Sequence, residues 1–213
     1  MPHNSIIARE GWPYIGLFAV LTVILAISPY RYYLPLPLAL AVFTTYFFRN
    51  PERITPQEEG LILAPADGKI IAVNEVWENE YFKADCIRVS IFLSLFNVHV
   101  NRIPLGGKVE WLYRSGSTYL PAYRSGAAAT NVSNTVGILS AYGKIMVVQI
   151  TGMIARRIVC WLQPGDTVAA GERFGLIKFG SCTQLYLPAE AEILVAPGDK
   201  VKGGETIIGR FSN

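Results

Sequence analysis

Between residues 11 and 48 the chain carries one charged residue, Arg31, and this scarcity limits what it can fold into more than any other feature. Residues 11–30 form an uncharged run of 20, roughly 30 Å as a helix, which matches a bilayer's hydrocarbon core. Residues 32–48 form a second run of 17, at the short limit for a span, with Pro35 and Pro37 expected to disturb its first turn. Trp12, Tyr14, Tyr30, Tyr32, Tyr33 and Tyr46 stand at the ends of these runs, as interfacial anchors do, and Arg9, Arg31, Arg49 and Arg53 flank them. A cleavable signal would have a shorter apolar core, a small-residue cleavage site and no second run directly behind it. A buried hairpin of a soluble core fits the same composition. The aromatic ends favour a helical membrane hairpin or re-entrant anchor over residues 1–53. A hairpin leaves both ends on one side, and the basic flanks favour the cytoplasmic side, with Arg31 at the turn counting against it.

Beyond residue 60 the pattern changes. Runs of β-branched and aromatic residues at 61–63, 69–73, 86–92, 109–113, 137–140, 145–150 and 158–161 are bounded by Gly, Pro, Asn or Asp. No stretch here sustains a helical period for three turns, and short helices fit only near 94–100 and 153–157. The expected fold class is mainly β (α+β), with a β-rich domain over 54–213 behind the helical hairpin. One repeat stands out. Gly165-Asp-Thr-Val-Ala-Ala-Gly-Glu172 recurs 33 residues later as Gly198-Asp-Lys-Val-Lys-Gly-Gly-Glu205. Such turns resemble those of lipoyl-like and biotinyl-like β-sandwiches; two unrelated β-turns are the plainer alternative.

Composition removes several function classes. A net charge of +3 gives no case for nucleic acid. Cys86, Cys160 and Cys182 are an odd set without CxxC spacing, which argues against a disulfide framework and a structural zinc. His3 and His99 are too few for the usual catalytic zinc ligands, so no metal is expected and a metallopeptidase is disfavoured.

The pair Gly180-Ser181 lies between two strand-like runs. A serine held against a glycine carbonyl can attack it, because glycine has no side chain to block the approach. The result is self-cleavage and a new N-terminus. Most Gly-Ser pairs are only turns. His99 is the one histidine of the globular part, and its ordinary pKa of about 6.5 suits proton transfer. Its plainer role is a hydrogen-bonded core histidine. Asp67, in Pro-Ala-Asp-Gly, also reads as an ordinary turn residue.

In order along the chain stand Pro65-Ala-Asp-Gly-Lys-Ile70, Phe92-Leu-Ser-Leu-Phe-Asn-Val-His-Val-Asn-Arg-Ile-Pro104, Val148-Gln-Ile-Thr-Gly-Met-Ile-Ala-Arg-Arg-Ile-Val-Cys160 and Arg173-Phe-Gly-Leu-Ile-Lys-Phe-Gly-Ser181. Together they resemble the short form of the phosphatidylserine decarboxylase proenzymes; Ile7-Ala-Arg-Glu-Gly-Trp-Pro13 and Phe47-Phe-Arg-Asn-Pro-Glu-Arg53 fit too. The resemblance implies a pyruvoyl-dependent carboxy-lyase that cleaves itself between Gly180 and Ser181 into chains 1–180 and 181–213. It implies a pyruvoyl cofactor made from Ser181, and a Schiff base through which phosphatidylserine becomes phosphatidylethanolamine. It gives catalytic roles to Ser181, His99 and Asp67, with His99 serving both cleavage and decarboxylation. Arg102, Arg156 and Arg157 become candidates for the substrate phosphate. The implied partners are phospholipid, the membrane, the two chains of one precursor and a second copy in a homodimer, at the cell membrane. Two departures stand out. Arg102 occupies the place of a second histidine found in longer relatives, and Asn131-Val-Ser-Asn134 replaces an acidic run. The competing reading is a membrane-anchored lipoyl-like adaptor without catalysis.

Overall fold

The structure is a computed structural model that describes residues 4–120, 130–152, 157–178 and 181–211. The chain divides into two compact units, Met1–Glu52 and Arg53–Asn213.

The first unit holds helices α1 (Trp12–Ala26) and α2 (Pro35–Phe47). None of the 15 residues of α1 is buried. With the short turn before it, the stretch Arg9–Ala26 is the one helix among the described residues long and apolar enough to cross a membrane. The 13 residues of α2 reach only about 20 Å. Pro35 starts that helix rather than disturbing it, because the first helical position has no intrahelical use for an N–H. The base of the unit is tied by a bridge between Ile7 and Arg49 and by the Asn50 side chain, which donates to the Ser5 carbonyl at 2.8 Å.

The second unit is built from antiparallel strands. In chain order they are β1 (Leu61–Leu63), β2 (Gly68–Glu78), β3 (Ala84–Leu93), β4 (Val100–Arg102), β5 (Gly107–Ser115), β6 (Ser133–Ser140) and β7 (Gly143–Thr151). They continue as β8 (Ile158–Cys160), β9 (Thr167–Val168), β10 (Arg173–Ile177), β11 (Ser181–Pro188), β12 (Glu192–Ile193), β13 (Lys200–Val201) and β14 (Ile207–Arg210). One curled eight-stranded sheet runs β13-β2-β3-β11-β7-β6-β5-β9, and two three-stranded sheets run β1-β14-β12 and β4-β10-β8. The protein is mainly β behind a helical N-terminus, as the sequence predicts.

These orders contain a twofold repeat. Reading the large sheet outward from its centre, β11, β3, β2 and β13 match β7, β6, β5 and β9, and the two small sheets match each other. Pro65-Ala-Asp-Gly-Lys-Ile70 thereby corresponds to Pro104-Leu-Gly-Gly-Lys-Val109. The halves clasp reciprocally: Leu63 N donates to the Pro104 carbonyl and Arg102 N to the Pro65 carbonyl, both at 2.9 Å. The Gly-Asp repeat forms the matching turns. Asp166 and Asp199 each accept a backbone N–H three residues back, from Gln163 at 2.7 Å and Ala196 at 2.8 Å. Gly165 and Gly198 take φ of 98° and 109°, which a side chain would resist.

The second half is inserted into the first between β3 and β11. In the second half β6 turns tightly into β7, with Ser140 paired to Gly143. In the first, Leu93 is paired to Ser181, and everything between them is the other half. The inner face is apolar where Leu185, Val147 and Val136 align, and polar where Thr183, Gln149 and Asn134 align. The helix expected over 94–100 is instead a turn, because the Asn97 side chain accepts both the Ser94 N–H and hydroxyl, at 2.9 and 2.7 Å. The helix expected over 153–157 falls almost wholly outside the described residues.

Ile91 is fully buried in the shared core. Ile91→Ala is expected to cost about 2–5 kcal/mol, read as a lowered urea midpoint with an unchanged slope. An unchanged midpoint would contradict this core assignment.

Candidate active site

Ser181 is the first residue of β11 and is wholly buried. It pairs with Leu93 on one side and Thr151 on the other, so its backbone is fixed from both edges. Its hydroxyl has no hydrogen-bond partner among the described residues. An unsatisfied buried hydroxyl costs about 1–3 kcal/mol, so its presence calls for an explanation, of which a catalytic role is one.

A buried polar seam begins two residues further on. The Asn101 amide donates to the Thr183 hydroxyl at 3.1 Å and accepts from Gln149 at 2.8 Å. The carbonyl end of Gln149 accepts from Asn134 at 3.0 Å. Asn131 ties the edge of the site together, donating to the Leu120 and Thr151 carbonyls at 2.7 and 2.8 Å. The departure at 131–134 therefore supplies neutral amides that position β7 beside Ser181.

His99 is buried, with Nδ1 2.9 Å from the Asn97 carbonyl. A carbonyl only accepts, so Nδ1 carries a proton, and in the neutral form of the ring Nε2 holds the lone pair. Two contacts tie the His99 segment to the chain around Ser181. Its carbonyl accepts the Ile177 N–H at 3.2 Å, four residues before Ser181, and Asn101 touches Thr183.

The other candidates have structural partners. Asp67 accepts from Arg53 Nη2 at 2.9 Å and from Gly203 N at 2.8 Å. Arg53 also donates to Glu205 at 3.0 Å, so this arginine braces the β domain rather than flanking an apolar run. Arg102 is buried and donates to the Gly171 carbonyl at 2.9 Å, fastening one repeat turn. Arg157 is exposed, and its carbonyl accepts from Lys178 N at 3.1 Å. Gly180 and Arg156 lie outside the described residues. Sequence reasoning missed Asn101, Gln149, Asn134 and the buried Lys178. The first three are ordinary amides whose meaning comes only from their strand register. Lys178, two residues before Gly180, was a signal that burial alone makes visible. Among the described residues no group of three or more His, Cys, Asp or Glu is placed to hold a metal.

The phosphatidylserine decarboxylase family model matches residues 40–209. The chain belongs to the phosphatidylserine decarboxylase family. A phosphatidylserine decarboxylase proenzyme of Syntrophus aciditrophicus (strain SB) is 46% identical, covering 99% of this chain and 100% of the relative. Another, of Carboxydothermus hydrogenoformans, is 47% identical over 99% of both chains. A third, of Symbiobacterium thermophilum, is 44% identical over 98% of this chain and 97% of its own.

In this family member the cysteine beside the candidate serine is inert by environment. Cys182 faces away from Ser181, into a cluster with Met146, Val148 and Ile150. Burial pushes its thiol up to about 12. The fold therefore keeps a proton that the unfolded chain releases near 9. The group's contribution to stability is complete below about 9 and falls as pH climbs toward 12. A thiol reagent at pH 8 is expected to modify all three cysteines in urea but spare Cys182 in the folded chain. Rapid modification of native Cys182 would contradict the burial.

Proposed function

We propose that the chain is a proenzyme that cleaves itself between Gly180 and Ser181 and then decarboxylates phosphatidylserine to phosphatidylethanolamine. The supporting observation is the buried, unpartnered Ser181 hydroxyl at the head of a doubly paired strand, in a chain of this family. The family is pyruvoyl-dependent, and a serine in this setting fits as the source of the group: its hydroxyl makes no hydrogen bond that would have to be broken.

Formation of the group uses the chain's own atoms. The Ser181 oxygen attacks the Gly180 carbonyl carbon, the C–N bond breaks, and an ester replaces the amide. Loss of the Ser181 α-proton expels the Gly180 carboxylate and leaves a dehydroalanine. Water then releases ammonia, giving chains 1–180 and 181–213, with a pyruvoyl group at the head of the second. A pyruvoyl group there would supply an electron sink for the pair released when CO2 leaves a substrate held through its amine.

The remaining tasks fall to side chains. His99, with Nδ1 committed to Asn97, removes or returns protons through Nε2 in both phases. The amide seam from Thr183 to Asn134 fixes strand position without adding a competing charge. Asp67 acts through position, joining Arg53 to the Gly203 turn. Residues 1–53 form the membrane anchor and 54–213 the decarboxylase domain. The uncovered apolar surface of α1 supports that anchor, and Arg49, stacked over Tyr46 at 3.9 Å, supports a cytoplasmic exit.

Carboxyl-labelled phosphatidylserine in detergent micelles tests the reading. The full chain is expected to release labelled CO2, Ser181→Ala to release none, and His99→Ala to be slower by about 10²–10⁴. Undiminished release by Ser181→Ala would refute the proposal. Loss of decarboxylation in His99→Ala with intact self-cleavage would remove the dual role of the histidine.

A further inference from the structure

A cavity of about 520 Å³ opens on the side of the sheet opposite the Ser181 hydroxyl, lined by Asp67, Gly68, Lys69, Phe92, Ser94, Asn97 and Lys200–Lys202. We propose that its lysines, Lys69, Lys200 and Lys202, bind the phosphodiester of the phospholipid substrate. This rests on the decarboxylase reading above and extends it to the headgroup.

The charge arrangement asks for an anion. Lys69 and Lys200 are direct cross-strand partners in the β2–β13 pair. Like charges so placed repel, and the fold gains nothing from them without a counter-charge. Asp67 does not supply it, because its two oxygens face Arg53 and Gly203 N. Lys202 lies 3.8 Å from Glu205, a carboxylate already held by Arg53 at 3.0 Å. Asp199 turns back on its own loop, accepting from Ala196 N. Three lysines therefore line a cavity whose one lining carboxylate is engaged elsewhere.

The twofold repeat serves as an internal control. In the second half the same backbone pairs Gly107 and Lys108 with Val168 and Thr167. Lys69 corresponds to Lys108, but Lys200 corresponds to Thr167, Lys202 to Ala169 and Asp67 to Gly106. The scaffold forms without the basic cluster. The cluster is present only in the half that contains Ser181.

The cavity has two wall residues linked to the candidate site through the backbone. Its wall residue Asn97 holds His99 Nδ1 through its carbonyl. Its wall residue Phe92 is the cross-strand neighbour of Cys182, next to Ser181. Phe96, 67% exposed, belongs to the same turn as the wall residues Ser94 and Asn97. An anionic group flanked by hydrocarbon is the chemistry of a phospholipid headgroup, and ammonium groups hold phosphate oxygens as point charges.

Full-length Ser181→Ala keeps the chain intact and removes the electrophile, so titrating it with glycerophosphoserine reads the cavity alone. Binding is expected, at least tenfold weaker when Lys69→Gln and Lys200→Gln are added. Arginine at both positions should restore it, and Lys108→Gln should leave it unchanged. Melting temperature serves as the folding control. Absence of binding, or equal binding by the double glutamine variant, overturns the proposal. Equal affinity for inorganic phosphate would mean a free-phosphate site, and would overturn it too. So would retained glycerophosphoserine binding with loss only of adhesion to phosphatidylglycerol vesicles, which would mean a membrane-surface patch. Failure of the decarboxylase reading is a separate result: a wild-type chain that releases no CO2 from phosphatidylserine.

Discussion

Ser181 begins a strand that is hydrogen-bonded on both edges, to β3 through Leu93 and to β7 through Thr151. A backbone clamped in this way has little freedom at its first residue, so the direction of the serine side chain is set by sheet register. A slip of one residue would turn Ser181 outward and bring Cys182 to the inner face. The apolar end of the face resists that slip, because Leu185 and Leu187 would leave the core with it. Hydrophobic burial at one end of β11 thus fixes the direction of the Ser181 side chain at the other.

The duplicated scaffold accounts for the place of the proposed scissile bond. Each half wants its second and third large-sheet strands, in chain order, side by side. In the second half a tight turn ending at Gly143 joins them. In the first, the corresponding position is Ser181, and the chain returns to it only after building the whole second half. A break just before Ser181 therefore falls at a junction between halves, and the strand pairs on either side hold the two products together. The amide seam and the Arg53–Asp67 brace are additions to this plan, as are the lysines around the cavity.

Much of this was legible in the sequence. The uncharged N-terminal runs gave the helices, and alternating β-branched runs bounded by turn residues gave most of the longer strands. The Gly-Asp repeat marked the two turns because aspartate capping and positive-φ glycine leave a fixed spacing. The companion repeat, Pro65 to Ile70 against Pro104 to Val109, went unread: three shared residues in six carry little weight until the sheet order aligns them. Arg53 reads as a basic flank of the apolar runs and Arg102 as a candidate for the substrate phosphate, yet each is engaged by a partner distant in sequence. Asn101, Gln149 and Asn134 gave no local signal at all, since an amide acquires its role only from the strand opposite. Pro35 was read as a disturbance because proline's cost depends on where a helix starts, and that start was set by the chain before it.

On this reading the paired strand delivers a serine that breaks the peptide bond in front of it. Intact-mass measurement on the folded, full-length protein tests it most directly. The account predicts two tightly associated chains divided after Gly180, the smaller blocked to amine-terminal sequencing and reactive toward carbonyl reagents. A single unclipped polypeptide with an unaltered Ser181, in material that melts cooperatively, would contradict it.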